Sequence, residues 1–143
     1  MAADGSFPHE LERTKAFEYS IFNLDVVAAL AVELTSTDNN YLTYATPDSR
    51  SLGREVGFLF PYLQGKSRWS RPRDVMYRAD WSIRQPMLLF GALASGCSEW
   101  LELWKRLPAD FEVEEIRRNF PVRYPTLWLR HLKAESSRSE TAL

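Results

Sequence analysis

Apolar positions along this chain fall into blocks separated by proline and glycine, and most blocks carry helical spacing. From Asn23, which can cap a helix with Asp25 favourable for its dipole, Leu24 to Val32 leave almost no polar face. That pattern predicts a helix at the buried centre of the fold. Upstream, residues 8–22 suit a further helix, although Phe17, Tyr19 and Ile21 alternate with their neighbours as a strand would. Downstream, the polar stretch 35–40 followed by Tyr41-Leu-Thr-Tyr-Ala-Thr46 reads as a turn and a strand.

The next block is the clearest. Thr46-Pro47-Asp48 offers a cap, a first-turn proline and an acid for the dipole. Leu52, Val56, Leu59, Phe60 and Leu63 then form one stripe, which Pro61 and Gly65 should close. Gly53 and Gly57, four residues apart, would let another helix approach. Residues 66–73 read as a loop, and Asp74 can open a short helix reaching Arg84. Pro86 starts an apolar segment broken at Ser95-Gly96, Ser98–Leu107 carries Trp100 and Trp104 one turn apart, and Asp110 can cap a helix holding Val113, Ile116 and Phe120. Pro125 begins a last helix with Leu127, Trp128, His131 and Leu132 on one side.

The fold expected from this order is mainly α, a compact irregular bundle of five to six helices. An α+β fold with a short β-hairpin near residues 31–46 is the alternative. A single globular domain should cover residues 7–135, with 1–6 and 136–143 as flexible tails.

Composition adds little to the fold but narrows function. At 143 residues the chain can bury a core without disulfide or metal, and Cys97 is the sole cysteine, which suits a reducing compartment. The N-terminus lacks the basic and apolar regions of a secretory signal. The longest uncharged run, Gln85 to Ser98, is too short for a membrane span. A cytoplasmic location with no membrane partner is the expectation.

Catalytic patterns are weak. His9-Glu10 resembles the start of a zinc-protease helix, but Arg13 stands where the second histidine would be. Cys97 could pair with His9 or His131 as a nucleophile, yet a lone cysteine of this kind usually belongs to a core. Glu112, Glu114 and Glu115 beside Asp110 are accounted for by a helix dipole. No cofactor or metal ligand set is expected, and the residues lean against an enzyme.

Charge is where the sequence becomes informative. The net charge is −1, but residues 1–48 carry −6 and residues 49–95 carry +5. The middle excess is concentrated in Lys66, Arg68, Arg71, Arg73, Arg78 and Arg84, interleaved with Trp69 and Trp81. Arginine and tryptophan dominate protein-binding hot spots, and guanidinium groups pair with phosphate or carboxylate. The expected function is a non-enzymatic protein–protein interaction domain (adaptor, inhibitor or regulator), with Arg68, Trp69, Arg71, Arg73, Arg78, Trp81 and Arg84 as its partner-binding residues. The partner would be another protein or, through the Trp128 and Leu132 face, a second copy of the chain. A nucleic-acid-binding regulator using the same residues is the alternative, followed by a small enzyme with dispersed catalytic groups. A competing structural account has Asp74 and Asp80 pairing with Arg78 and Arg84 while both indoles lie buried under arginine stems.

Overall fold

The computed structural model describes residues 1–129. It is a compact, mainly α-helical bundle: α1 (Pro8–Leu11), α2 (Ala16–Leu34), α3 (Leu52–Gln64), a 3-10 turn (Lys66–Arg68), α4 (Pro86–Ser95), α5 (Ser98–Arg106) and α6 (Glu114–Asn119). Residues 125–129 add a further helical turn, while His131, Leu132 and the tail 136–143 lie outside the described residues. No β-sheet forms among the described residues. The expected hairpin is replaced by one isolated bridge between Ala45 and Ser51.

α2 begins at Ala16, not Asn23, so the apparent alternation at 17–21 is helix throughout. Its buried positions, Phe17, Ile21, Leu24, Ala28 and Val32, recur at three- and four-residue steps toward the core. The opposite side is also apolar but is not covered: Phe22, Leu30 and Leu34 are exposed. The centre of the fold is therefore α4, whose residues Pro86 to Ala92 are all buried. It packs against α2, α3 and α5.

Local signals explain several boundaries. Pro86 opens α4, and Gly96, at φ 72°, closes it in the left-handed conformation that glycine adopts freely. α3 is capped by Ser51, whose side chain accepts the Arg54 N–H at 3.3 Å, rather than by Thr46. Pro61 does not end α3, which runs on to Gln64. The carbonyl that Pro61 deprives of a donor belongs to Gly57, which is exposed and can turn to water. The close helix approach falls at Gly91, where an added Cβ would lie 2.8 Å from Val56 Cγ2 and 3.3 Å from Trp100. Gly53, expected to admit a neighbour, faces open space, and Gly57 only comes within 3.9 Å of Trp100.

The first six residues, expected to be loose, fold onto the start of α3. The Ala2 N–H donates to Ser6 O at 2.9 Å, and Arg54 Nε donates to Ala3 O at 3.0 Å. Gly5 and Ser6 are buried there. Gly5 has a φ of 88°, and a Cβ on it would strike the Arg54 carbonyl, so the approach requires glycine. The segment expected to form a helix from Asp74 to Arg84 is irregular instead, with Tyr77 and Ser82 at positive φ of 58° and 74°.

Candidate functional site

The irregular segment earns its shape from the groups that hold it. Lys66 Nζ donates to Ala79 O at 2.6 Å, and Arg78 Nη2 donates back to Lys66 O at 2.5 Å. This reciprocal clasp ties the 3-10 turn to residues 78–79 and sets two cations side by side. Trp69 is 7% exposed and packs edge-on against Phe17 and Tyr62, with centroids at 5.3 and 4.9 Å. A cleft of about 530 Å³ results, lined by Lys66, Ser67, Trp69, Arg71, Arg73, Arg78 and Ala79.

Four of those lining residues are cationic and none is a carboxylate. Among the described residues no acid lies within ion-pair distance of Arg68, Arg71, Arg73, Arg78 or Arg84; Arg50–Asp48 alone pairs the acidic first third with the basic middle. Burial and the neighbouring Arg78 charge push the Lys66 ammonium below the usual lysine value, with Asp80 pulling the other way. Trp69 Nε1 and Arg78 Nη1 are buried without an acceptor. An orphaned buried donor costs roughly 1–3 kcal/mol.

The seven residues expected to bind a partner thus divide. Arg71, Arg73 and Arg78 converge on the cleft and Trp69 floors it, while Arg68 is exposed beside it. Trp81 is 1% exposed and belongs to the core, and the two indoles do not face outward as contact residues. They supply apolar area that the small bundle buries, which outweighs any use at the surface. Arg84 is also structural: its guanidinium donates to Leu107 O and Lys105 O, both at 3.0 Å, and stacks 5.3 Å from the Trp104 ring. It satisfies the free carbonyls at the end of α5. The pairings expected with Asp74 and Asp80 do not form. Asp74 instead accepts the backbone N–H groups of Phe17 and Glu18.

A second cleft, of about 350 Å³, is lined by Glu10, Arg13, Glu18, Tyr19, Phe22, Asn23, Val26 and Asn119. Arg13 stacks 4.2 Å from the Tyr19 ring, and Asn23 Nδ2 donates to Glu10 Oε1 at 3.2 Å. Glu18 is 1% exposed; one oxygen takes Lys15 Nζ at 2.8 Å and the other has no partner. Sequence reasoning passed over this cleft because its residues carry no motif, only the helical spacing of Glu18, Tyr19, Phe22, Asn23 and Val26 along α2. Cys97, expected in the core, is partly exposed just before α5, and its possible partner His131 lies outside the described residues.

A family model for alginate lyases matches residues 1–69, less than half of the chain. The match takes in the second cleft, apart from Asn119, and stops within the first. Comparison with curated proteins and with solved structures returns no match. No helix among the described residues is long and apolar enough to cross a membrane.

Proposed function

We propose that this chain is a non-enzymatic interaction domain of the adaptor, inhibitor or regulator kind, acting in the cytoplasm, that docks an acidic segment of another protein on residues 66–80. One observation carries the reading: four cations line the 530 Å³ cleft and no carboxylate shares its wall. Like charges held together are unfavourable unless something answers them. Asp80 acts on Lys66 and Asp4 on Arg71 only from beyond ion-pair distance, and a complementary acidic surface would speed encounter and fix register. Val75 and Met76, 68% and 53% exposed, offer an apolar anchor in the adjoining hollow, where Asp74 and Asp80 stand beside Arg73 and Arg78. Co-purification should recover a stoichiometric partner, and Arg68→Glu, Arg71→Glu and Arg73→Glu together should abolish recovery without lowering the melting temperature. Recovery that survives the triple charge reversal rejects this face. A nucleic-acid partner is separated by salt: log affinity for duplex DNA falls with log salt at about 0.9 per phosphate contact.

The family match favours a second reading, an enzyme acting on a uronate polymer through the cleft on α2. Elimination from a uronate needs a cation at the carboxylate and a base at the adjacent carbon. Arg13 and Tyr19 are groups of those types in contact, but Glu10 and Glu18 line the same cleft and would repel a polyuronate. Incubation with alginate and detection of the unsaturated product by ultraviolet absorbance decides it. Activity lost in Tyr19→Phe would establish the enzyme, and no product over long incubation would remove it.

A further inference from the structure

The cationic cleft has a more specific character than positive charge. Its cations come from two stretches of chain, Lys66 to Arg73 on one side and Arg78 on the other, joined by the Lys66–Ala79 and Arg78–Lys66 hydrogen bonds. Two of its lining residues, Trp69 and Arg78, each hold a donor, the indole N–H and Nη1, that is buried without an acceptor. Trp69 is more than nine-tenths buried, so its N–H is held in place by packing on Phe17 and Tyr62 rather than left to find a partner by moving. A carboxylate brings one charge and two oxygens to such a set of donors. A phosphoryl group brings close to two charges at neutral pH and three terminal oxygens, and arginine forks match its geometry.

We infer that the cleft formed by Lys66, Trp69, Arg71, Arg73 and Arg78 is a subsite for a phosphoryl group carried on a side chain of the docking protein. This rests on the docking reading above and adds to it the chemistry that is recognised. Arg71 and Arg73, both exposed, supply two forks to the group. Arg78, stacked 5.1 Å from the Phe17 ring, supplies a fixed one. Its Nη1, which has no acceptor, gains one when the group is seated, while Nη2 keeps its bond to Lys66 O. Burial, the larger cause of the depressed Lys66 ammonium, would persist, but an anion seated there would offset the Arg78 charge and push the ammonium upward.

Nitrogen-15 spectra of the full chain resolve indole and arginine side-chain N–H groups and can be followed during titration with inorganic phosphate and with O-phosphoserine. Sodium chloride at matched ionic strength and glutamate serve as controls. A saturable shift of the Trp69 indole signal by both phosphates, absent with chloride and glutamate, is the expected result. Arg71→Gln with Arg73→Gln, changes at exposed positions, should weaken phosphoserine binding by about tenfold or more. Equal response to glutamate and phosphoserine, or none to either phosphate, overturns the inference. Phosphatase treatment of the captured protein separates the two levels. Capture that survives dephosphorylation but still needs Arg71 and Arg73 keeps the docking face and rejects the phosphoryl subsite. Saturable phosphate binding without any captured protein keeps the subsite as one for a free phosphate and rejects the docking protein as its source.

Discussion

Asp74 Oδ2 accepts the backbone N–H of Glu18 at 2.8 Å, fifty-six positions away along the chain. Its other carboxylate oxygen takes the N–H of Phe17 at 3.0 Å. The residue at the N-cap position of α2 is Lys15, which has no side-chain acceptor to offer, so a loop aspartate does the capping from a distance. The same contact anchors the irregular segment that shapes the cationic cleft. Asp74→Ala should therefore cost about 1–3 kcal/mol, measured by urea denaturation, because two buried donors lose their acceptor. Asp74→Asn keeps one acceptor oxygen and loses the charge near the helix dipole, and should cost less. An Asp74→Ala variant as stable as the parent would show that the cap contributes nothing.

A second prediction concerns pH. Glu55 faces inward from α3, fully buried, with neither carboxylate oxygen hydrogen-bonded, and burial pushes its pKa from 4.5 up to about 7 while the chain's amino terminus pulls it down. Burial likewise raises Asp25 well above the ordinary carboxylate range, with one hydrogen bond from the Met87 N–H opposing it. For a carboxyl raised on folding, the native state binds more protons than the unfolded state between the two values. The stability it contributes is complete below pH 4.5 and is lost as pH rises through about 7. Glu55→Gln should flatten that decline and gain on the order of 2 kcal/mol at pH 8 over the parent. Thermal denaturation across pH 5 to 8 is the measurement. Parallel curves for the two proteins would mean that Glu55 ionises without penalty.

How far the sequence foretold this depends on where each determinant sits. Pro86 and Gly96 bracket α4 because both act locally through their own backbone angles, and Ser98–Leu107 differs from α5 only by one residue at its end. The start of α2 was hidden because its cap comes from Asp74, and no pattern near residue 16 records that. The same fact upset the charge reading of the middle segment. Asp74 looked like the natural mate of Arg78, but its two oxygens are committed to backbone, leaving the arginines without that acid. The cations of the cleft were visible in the sequence, whereas the inward turn of Trp69 and Trp81 was not, since a tryptophan among arginines has the same spelling in a core as at an interface.

Glycine positions give opposite expectations from the same substitution. Gly91→Ala places a methyl 2.8 Å from Val56 Cγ2 and 3.3 Å from Trp100, where α3, α4 and α5 meet. Overpacking of this kind costs about 1–3 kcal/mol, so a lower melting temperature is expected. Gly53→Ala meets nothing within 4 Å inside α3, and should stabilise by up to about 1 kcal/mol through better helix propensity. If both changes destabilise alike, the packing of α3 on α4 differs from that described.

Lys15 joins three parts of the molecule. Its ammonium donates to Glu18 Oε1 at 2.8 Å on α2 and to Glu115 Oε1 at 3.1 Å on α6, and it lies 5.5 Å from the Tyr77 ring. Burial opposes its charge, but the hydrogen bonds to Glu18 and Glu115 hold the ammonium above the usual lysine value. The two acids are not equivalent, since the side chain of Glu18 is 1% exposed and that of Glu115 is 18% exposed. Removing the cation strands Glu18 in the interior, a change that costs about 3–5 kcal/mol when a buried pair is broken from one side. Glu115→Ala leaves Lys15 with Glu18 and should cost far less than removal of the cation. Replacing Lys15 and Glu18 together by methionines removes the stranded charge, so Lys15→Met with Glu18→Met should recover most of the loss seen in Lys15→Met alone. Chemical denaturation of the three variants tests this, and a double variant no more stable than the single one would show that Lys15 holds α6 in place rather than neutralising Glu18.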